Sequence, residues 1–412
     1  MAIIRPFRGM RPKPEVVDRV AAPPYDVLSS EEARRMAEGN PLSFLHVGKP
    51  EIDLDPSISL YDERVYRKGA ENFRRYLEDG IFFQDPSPCF YVYRQRMGDH
   101  VQVGLAAGAS VDDYESGVIK KHELTRADKE DDRTRHVDIL NAQTGPVFLT
   151  YAARPELDAM MESAMKAEPA YDFISADGIG HTFWVVSDPV WISRVQELFK
   201  EMPALYVADG HHRSAAACRV RRMRRENNPG HRGDEEYNFF YAIIFPHDQL
   251  YIMDYNRVVK DLNGLEPGAF IGKVGEKFTV EPAEHGKPGK THCFGMYLGG
   301  RWYRLSAREG TFDAADPVRS LDVSILQDNL LAPILGIGDP RKDKRIDFVG
   351  GIRGLGELER LVNEGRAAVA FALHHTSVAE LMAIADAGQI MPPKSTWFEP
   401  KLKDGLVNHL LD

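Results

Sequence analysis

The densest chemistry in the chain is five consecutive residues, Asp209, Gly210, His211, His212 and Arg213, within "ALYVADGHHRSAAACRVRRMRRE". The apolar residues 204–208 read as a buried strand, and 214–225, opening on three alanines, read as a helix. The five therefore stand at a strand-to-helix seam. The first backbone N–H groups of a helix have no intrahelical partner, and its dipole favours an anion there by roughly 0.3–1 kcal/mol. Gly210 lets a ligand approach the backbone closely. Arg213 can grip phosphate oxygens with two parallel hydrogen bonds, and His211 and His212 can donate to them. Asp209 can hold a magnesium ion or accept a proton. The set suits a polyphosphate, with Asp209 and His211 as catalytic residues and Gly210, His212 and Arg213 around the phosphates. The plainer alternative is a capped turn whose histidines bond locally. Five functional residue types at one junction weigh against it.

Three other stretches supply candidates. "IKKHELTRADKEDDRTRH" holds His122, Glu123 and Arg126. Phosphoryl transfer to a hydroxyl needs a carboxylate for the hydroxyl proton and cations for the phosphoryl charge, so Glu123 is the candidate base, with His122 and Arg126 at the substrate. The alternative is a solvated, charge-rich helix. "PPYDV" presents Asp26 behind two prolines, either toward a substrate or as a turn residue capping the next helix. "MPPKSTWFEPKLKDGL" gathers Lys394, Ser395, Thr396 and Lys401 in a proline-stiffened loop that could close on a phosphate or carboxylate, or be a structural tail; Lys-Ser-Thr lacks the upstream glycines of a Walker motif. His46 in "NPLSFLHV" reads as a satisfied core histidine, "GGIRGLGEL" as helix capping, and the arginines from Arg219 to Arg225 as a solvated face. No HExxH or GxSxG occurs.

The elements that must position these residues alternate between strand and helix. Residues 2–7 suggest a strand, Ser29 or Ser30 caps a helix over 31–38, and 60–79 form a helix ending at Gly80. "CFYVYRQRM" and "HVQVGLAAGASV" alternate as a hairpin, and helices are expected within 117–138. "PVFLTYAA" and "HTFWVVS" read as strands, "PVWISRVQELFKE" as a helix, and the two apolar runs around "PHDQ" as a second hairpin. A βα alternation follows residue 321. The fold class is mixed α/β, divided as a main α/β region over 1–261, a small antiparallel subdomain over 262–307 and a C-terminal α/β region over 308–412, packed with the first.

Composition narrows the class. The 412 residues are 43% hydrophobic with a net charge of −10, so duplex nucleic acid is a poor partner. Three dispersed cysteines and an N-terminus with arginines where a signal peptide needs an apolar core fit a cytoplasmic protein. No apolar run approaches a membrane span. The oligomeric state stays open, a homodimer being one option.

These residues carry a resemblance. DGHHR after an apolar strand resembles the phosphate-binding motif of the ParB/sulfiredoxin-like superfamily, and it is very similar to the acid-glycine-histidine motif of its free serine kinases. "RPFRGMRP", "AAPPYDV", "NPLSFLHV", "HELT", "ADGHHR", "LDVSILQDNLL" and "MPPKSTWFEPKLKDGL" together resemble the prokaryotic family catalogued as domain of unknown function 1015. His211 stands where sulfiredoxin chemistry needs a cysteine, and the ParB-type arginine pair is absent. The resemblance implies a ParB/sulfiredoxin-like nucleotide-binding core. It implies a kinase using ATP or ADP with Mg2+ bound at Asp209, and a small hydroxyl acceptor, foremost free L-serine. A ParB-like nucleotide-binding regulator without kinase activity is the alternative.

Overall fold

The computed structural model describes residues 1–412, which form two compact units: residues 1–250 with 400–412, and residues 251–399. No helix is long and apolar enough to cross a membrane.

The first unit is built on a nine-stranded sheet in the order Ile119–Lys120, Leu205–Asp209, Val147–Tyr151, Phe239–Pro246, His100–Ser110, Phe90–Met97, Gly180–Val186 and Tyr171–Ile174, with Ile4–Arg5 pairing off this path against His100–Ser110. The expected hairpin of Phe90–Met97 and His100–Ser110 is present, in antiparallel register from Met97 opposite His100. Two pairs are parallel: Ile119–Lys120 with Leu205–Asp209, and Val147–Tyr151 with Phe239–Pro246. The core contains Phe90, Val92, Leu105, Leu149, Val207, Phe240 and Ile244, the side chains that alternation turns to one face. A second cluster, around Phe44, Phe73, Tyr76 and Phe82, holds the N-terminal helices. Ser29 caps Ser30–Ala37 with a full capping box, and Glu63–Glu78 ends before Gly80.

The second unit carries a six-stranded antiparallel sheet, ordered Phe278–Ala283, Arg301–Ala307, Cys293–Leu298, Val369–Leu373, Tyr255–Val259 and Ile346–Gly350. Residues 262–307 are therefore not a separate subdomain. Their three strands share this sheet with strands from 255–259, 346–350 and 369–373, and the chain after 399 returns to the first unit. The βα alternation after residue 321 is real in sequence, yet the strands meet antiparallel because they interleave with partners from before 310. The hairpin expected around "PHDQ" does not form. Phe239–Pro246 already has both edges occupied, so the run after it, Tyr251–Met253, pairs with Trp397–Glu399 instead.

Candidate functional site

Leu205–Asp209 is a buried strand, and the pairing with Val147–Tyr151 slips between Val207 and Asp209, so Ala208 is an extra residue. A bulge of this kind bends a strand and re-aims the side chain that follows, here Asp209. Gly210 comes next with φ +95°, a conformation glycine adopts without steric cost, and begins the helix His211–Glu226. The Arg213 and Ser214 N–H groups turn back onto the Gly210 carbonyl, at 2.9 and 3.0 Å. The His211 and His212 N–H groups remain at the helix start for an incoming anion.

Asp209 meets two donors. Its Oδ1 accepts from the Gly210 N–H at 2.7 Å, and its Oδ2 accepts from Lys401 Nζ at 3.0 Å. Burial alone would raise this carboxyl; the charges of Lys401 and Arg213 outweigh burial and hold it well below the usual carboxylate range. Both oxygens of Asp209, the residue expected to hold Mg2+, thus accept from donors of the protein itself.

The loop bearing His122 and Glu123 arrives by strand pairing. Ile119 and Lys120 lie parallel beside Leu205 and Tyr206, so the residues two or three positions on reach the same sheet end as Asp209. "HELT" is thus a loop after a short strand, and the helix begins only at Ala127. The His122 and His211 rings meet edge to face, centroids 4.5 Å apart, and both are almost fully buried. Glu123, half-exposed, places Oε2 3.9 Å from His211 Nδ1. Burial pushes the His122 imidazole down to about 4, against the pull of Asp209. Burial, with His122 beside it, takes His211 well below its ordinary value. Both rings are therefore neutral at pH 7.

Asp26 and Arg126 also reach the junction. The Pro-fixed turn Tyr25–Val27 brings Asp26 Oδ2 to 3.7 Å from the Arg213 guanidinium. The Arg126 N–H donates to His212 Nε2 at 3.1 Å, while its guanidinium turns outward to Asp128. Arg213 is largely buried rather than presented to solvent. It donates to the Pro146 carbonyl, and Asp26, Asp209 and Asp404 outweigh burial in keeping it charged. It braces the loop from beneath: a Cβ on Gly210 would stand 3.2 Å from its Nε.

Lys394, Ser395 and Thr396 lie in the second unit. There the Lys394 carbonyl accepts from Arg257, its ammonium sits over the Tyr255 ring, and the buried Ser395 hydroxyl donates to the Pro392 carbonyl. Ser395 is a loop staple rather than a phosphate-facing hydroxyl. Two further expectations are resolved. His46 is satisfied by Asp53 and the Asn40 carbonyl. The arginine-rich helix is only partly a solvated face, since Arg221 is buried between Asp112 and Glu115.

Lys401 stood in the sequence only as one of two lysines in a rigid loop. Asp404, three residues on, had no signal at all. It is buried in a pocket lined also by Tyr25, Arg133, His136, Arg213 and Tyr241, and its Oδ1 has no hydrogen-bond partner.

No curated protein matches the chain. Among solved structures it is similar to a free serine kinase in complex with AMP, at 11% identity and TM-score 0.35 over 74% of this chain and 92% of the other. It is similar at 13% identity and TM-score 0.34 to a conserved hypothetical protein from Pyrococcus furiosus, over 74% and 95% of the two chains. A third is SbnI with a C-terminal truncation from Staphylococcus aureus, at 10% identity and TM-score 0.37 over 73% and 85%. Likenesses at this level say nothing of this chain's chemistry. A family model described as "Protein of unknown function (DUF1015)" matches residues 4–324, more than half of the sequence, and the chain belongs to that family.

Proposed function

We propose that the protein is a nucleotide-dependent phosphotransferase acting on a small hydroxyl metabolite, with free L-serine, giving O-phospho-L-serine, as the first acceptor to test and ATP or ADP as donor. The observation that carries this reading is the Lys401 ammonium, brought onto Asp209 at the start of the His211–Glu226 helix. Free backbone N–H groups, a glycine without a side-chain screen, an ammonium held on a carboxylate and a buried guanidinium converge on one point. Donors gathered at a helix start favour an anion there.

In this reading the phosphates lie on the His211 and His212 N–H groups, and Lys401 neutralises charge on the transferring phosphoryl group. Asp209 and Arg213 act as positioning residues: one orients the ammonium, the other supports the loop. His212 is fixed by the Arg126 N–H and presents its ring beside the same phosphates. Glu123, the half-exposed carboxylate of the site, accepts the substrate hydroxyl proton as the hydroxyl oxygen bonds to phosphorus and the bond to the leaving phosphate breaks. His122, Arg126 and Asp26 border the acceptor. Catalysis then comes from positioning and charge neutralisation in a partly water-excluded site.

The test is thermal unfolding with ATP, ADP or CTP, alone and with L-serine, followed by assay for O-phosphoserine. A ligand bound only by the folded state adds about 2.7 kcal/mol at a hundredfold excess over its Kd. The expected result is a raised midpoint with one nucleotide, enlarged by serine, and product formation. No shift with any nucleotide would leave the junction a capped turn. A shift without phosphorylation of any hydroxyl metabolite would favour the ParB-like regulator.

A further inference from the structure

We infer that His122, Glu123 and His211 form a three-ligand site for a divalent transition-metal ion of the zinc class. One potential ligand atom from each lies within 4.8 Å of those of the other two. The two imidazoles are 2% and 4% exposed. Each keeps a ring nitrogen, Nδ1 of His122 and Nε2 of His211, with no hydrogen-bond partner. Leaving a buried polar group unsatisfied is costly, and here two such groups lie on rings in edge-to-face contact. A cation held by His122 Nδ1 and by the His211 ring nitrogen that faces Glu123 relieves that cost at His122.

The donor set selects the metal. Two imidazole nitrogens and one carboxylate oxygen match three-ligand zinc sites, which leave a further position open for water or substrate. Magnesium and calcium favour all-oxygen sets, and Asp209, the oxygen donor next to the cluster, is already held by Lys401 and Gly210. Ligand bonds of about 2.0–2.2 Å in tetrahedral array bring the donor atoms to about 3.3–3.5 Å apart. His211 Nδ1 and Glu123 Oε2 stand at 3.9 Å, so that pair closes by a fraction of an ångström, and all three donors already lie within 4.8 Å of one another. Glu123 is the half-exposed arm that can move, and its side is the route by which the ion enters. A carboxylate that ligates through one oxygen keeps the other for a proton, so this role and that of base are compatible. Sequence spacing conceals the site, because His211 joins the adjacent His122 and Glu123 only through the parallel pairing of their strands.

The site requires no nucleotide, so it stands or falls separately from phosphoryl transfer. The experiment is titration of the chelator-stripped full-length protein with Zn2+ by competition calorimetry, in parallel with visible absorption of the Co2+ form. The expected result is one Zn2+ per chain, and d–d bands of a four- or five-coordinate Co2+ site. Glu123→Gln and His211→Asn should each weaken Zn2+ binding at least tenfold and diminish those bands. Glu123 is half-exposed, so Glu123→Gln remains the deciding variant if His211→Asn loses its fold. Absence of stoichiometric Zn2+, or binding unchanged in Glu123→Gln, would overturn the inference.

Discussion

At the scale of single residues, the DGHHR run was legible because its chemistry is contiguous in sequence. Glu123 and Asp26 were legible as types, and both reach the junction. Lys401 was legible only as a lysine of a rigid loop and Asp404 not at all, since no local pattern ties that lysine to a carboxylate 192 residues earlier. Asp404 offers a test at this scale. Burial raises its carboxyl to about 7 against the charges of Arg213 and Arg133, with Asp26 adding to the rise. An unfolded aspartate titrates near 3.9, so the folded state binds the proton more tightly. The resulting stability is complete below about pH 4 and is lost as pH rises through 7. Asp404→Asn should therefore flatten the fall between those pH values and unfold later than wild type at pH 8, by an amount on the order of a few kcal/mol. Urea denaturation at pH 5 and pH 8 measures it, and parallel pH slopes for the two proteins would contradict it.

At the scale of elements, hydrophobic periodicity located most of the strands and helices, including the Phe90–Met97 and His100–Ser110 hairpin. It failed where tertiary pairing decides. The charge-dense stretch 117–138 was expected to carry helices, yet two of its residues pair with the Leu205–Asp209 strand and leave "HELT" a loop beside the site. The second apolar run after "PHDQ" lost its expected partner because that strand was already paired on both edges. No alternation within one segment reports which edges another segment has taken. The left-handed Gly210 is the element-level feature most open to test. Gly210→Ala forces a side chain into φ +95° and sets its Cβ 3.2 Å from the Arg213 guanidinium. It should cost about 1 kcal/mol or more in chemical denaturation, while Gly210→Asn, which tolerates this backbone better, should cost less. Equal stability of Gly210→Ala and wild type would show that the loop is not held as described.

At the scale of the whole molecule, the α/β class was readable and the division into units was not. The chain leaves the first unit at residue 250 and re-enters it at 400, and a linear reading of composition does not see a return. The last thirteen residues help close the first unit. His409–Leu410 pairs with Ala142–Gln143, Asp404 bridges to Ala22, Asn408 bridges to Met10, and Leu406, Val407 and Leu411 are buried. That closure carries Lys401 to Asp209 and so joins the two chain segments of the unit at its candidate site. The decisive measurement is calorimetric titration of wild type and Lys401→Met with ADP and ATP. Wild type should bind one nucleotide per chain, and Lys401→Met, which retains length and packing but removes the charge, should bind it at least tenfold more weakly, the loss expected for one charge-assisted contact. No nucleotide binding by wild type, or equal affinity in the variant, would contradict an anion site built on Asp209 and Lys401.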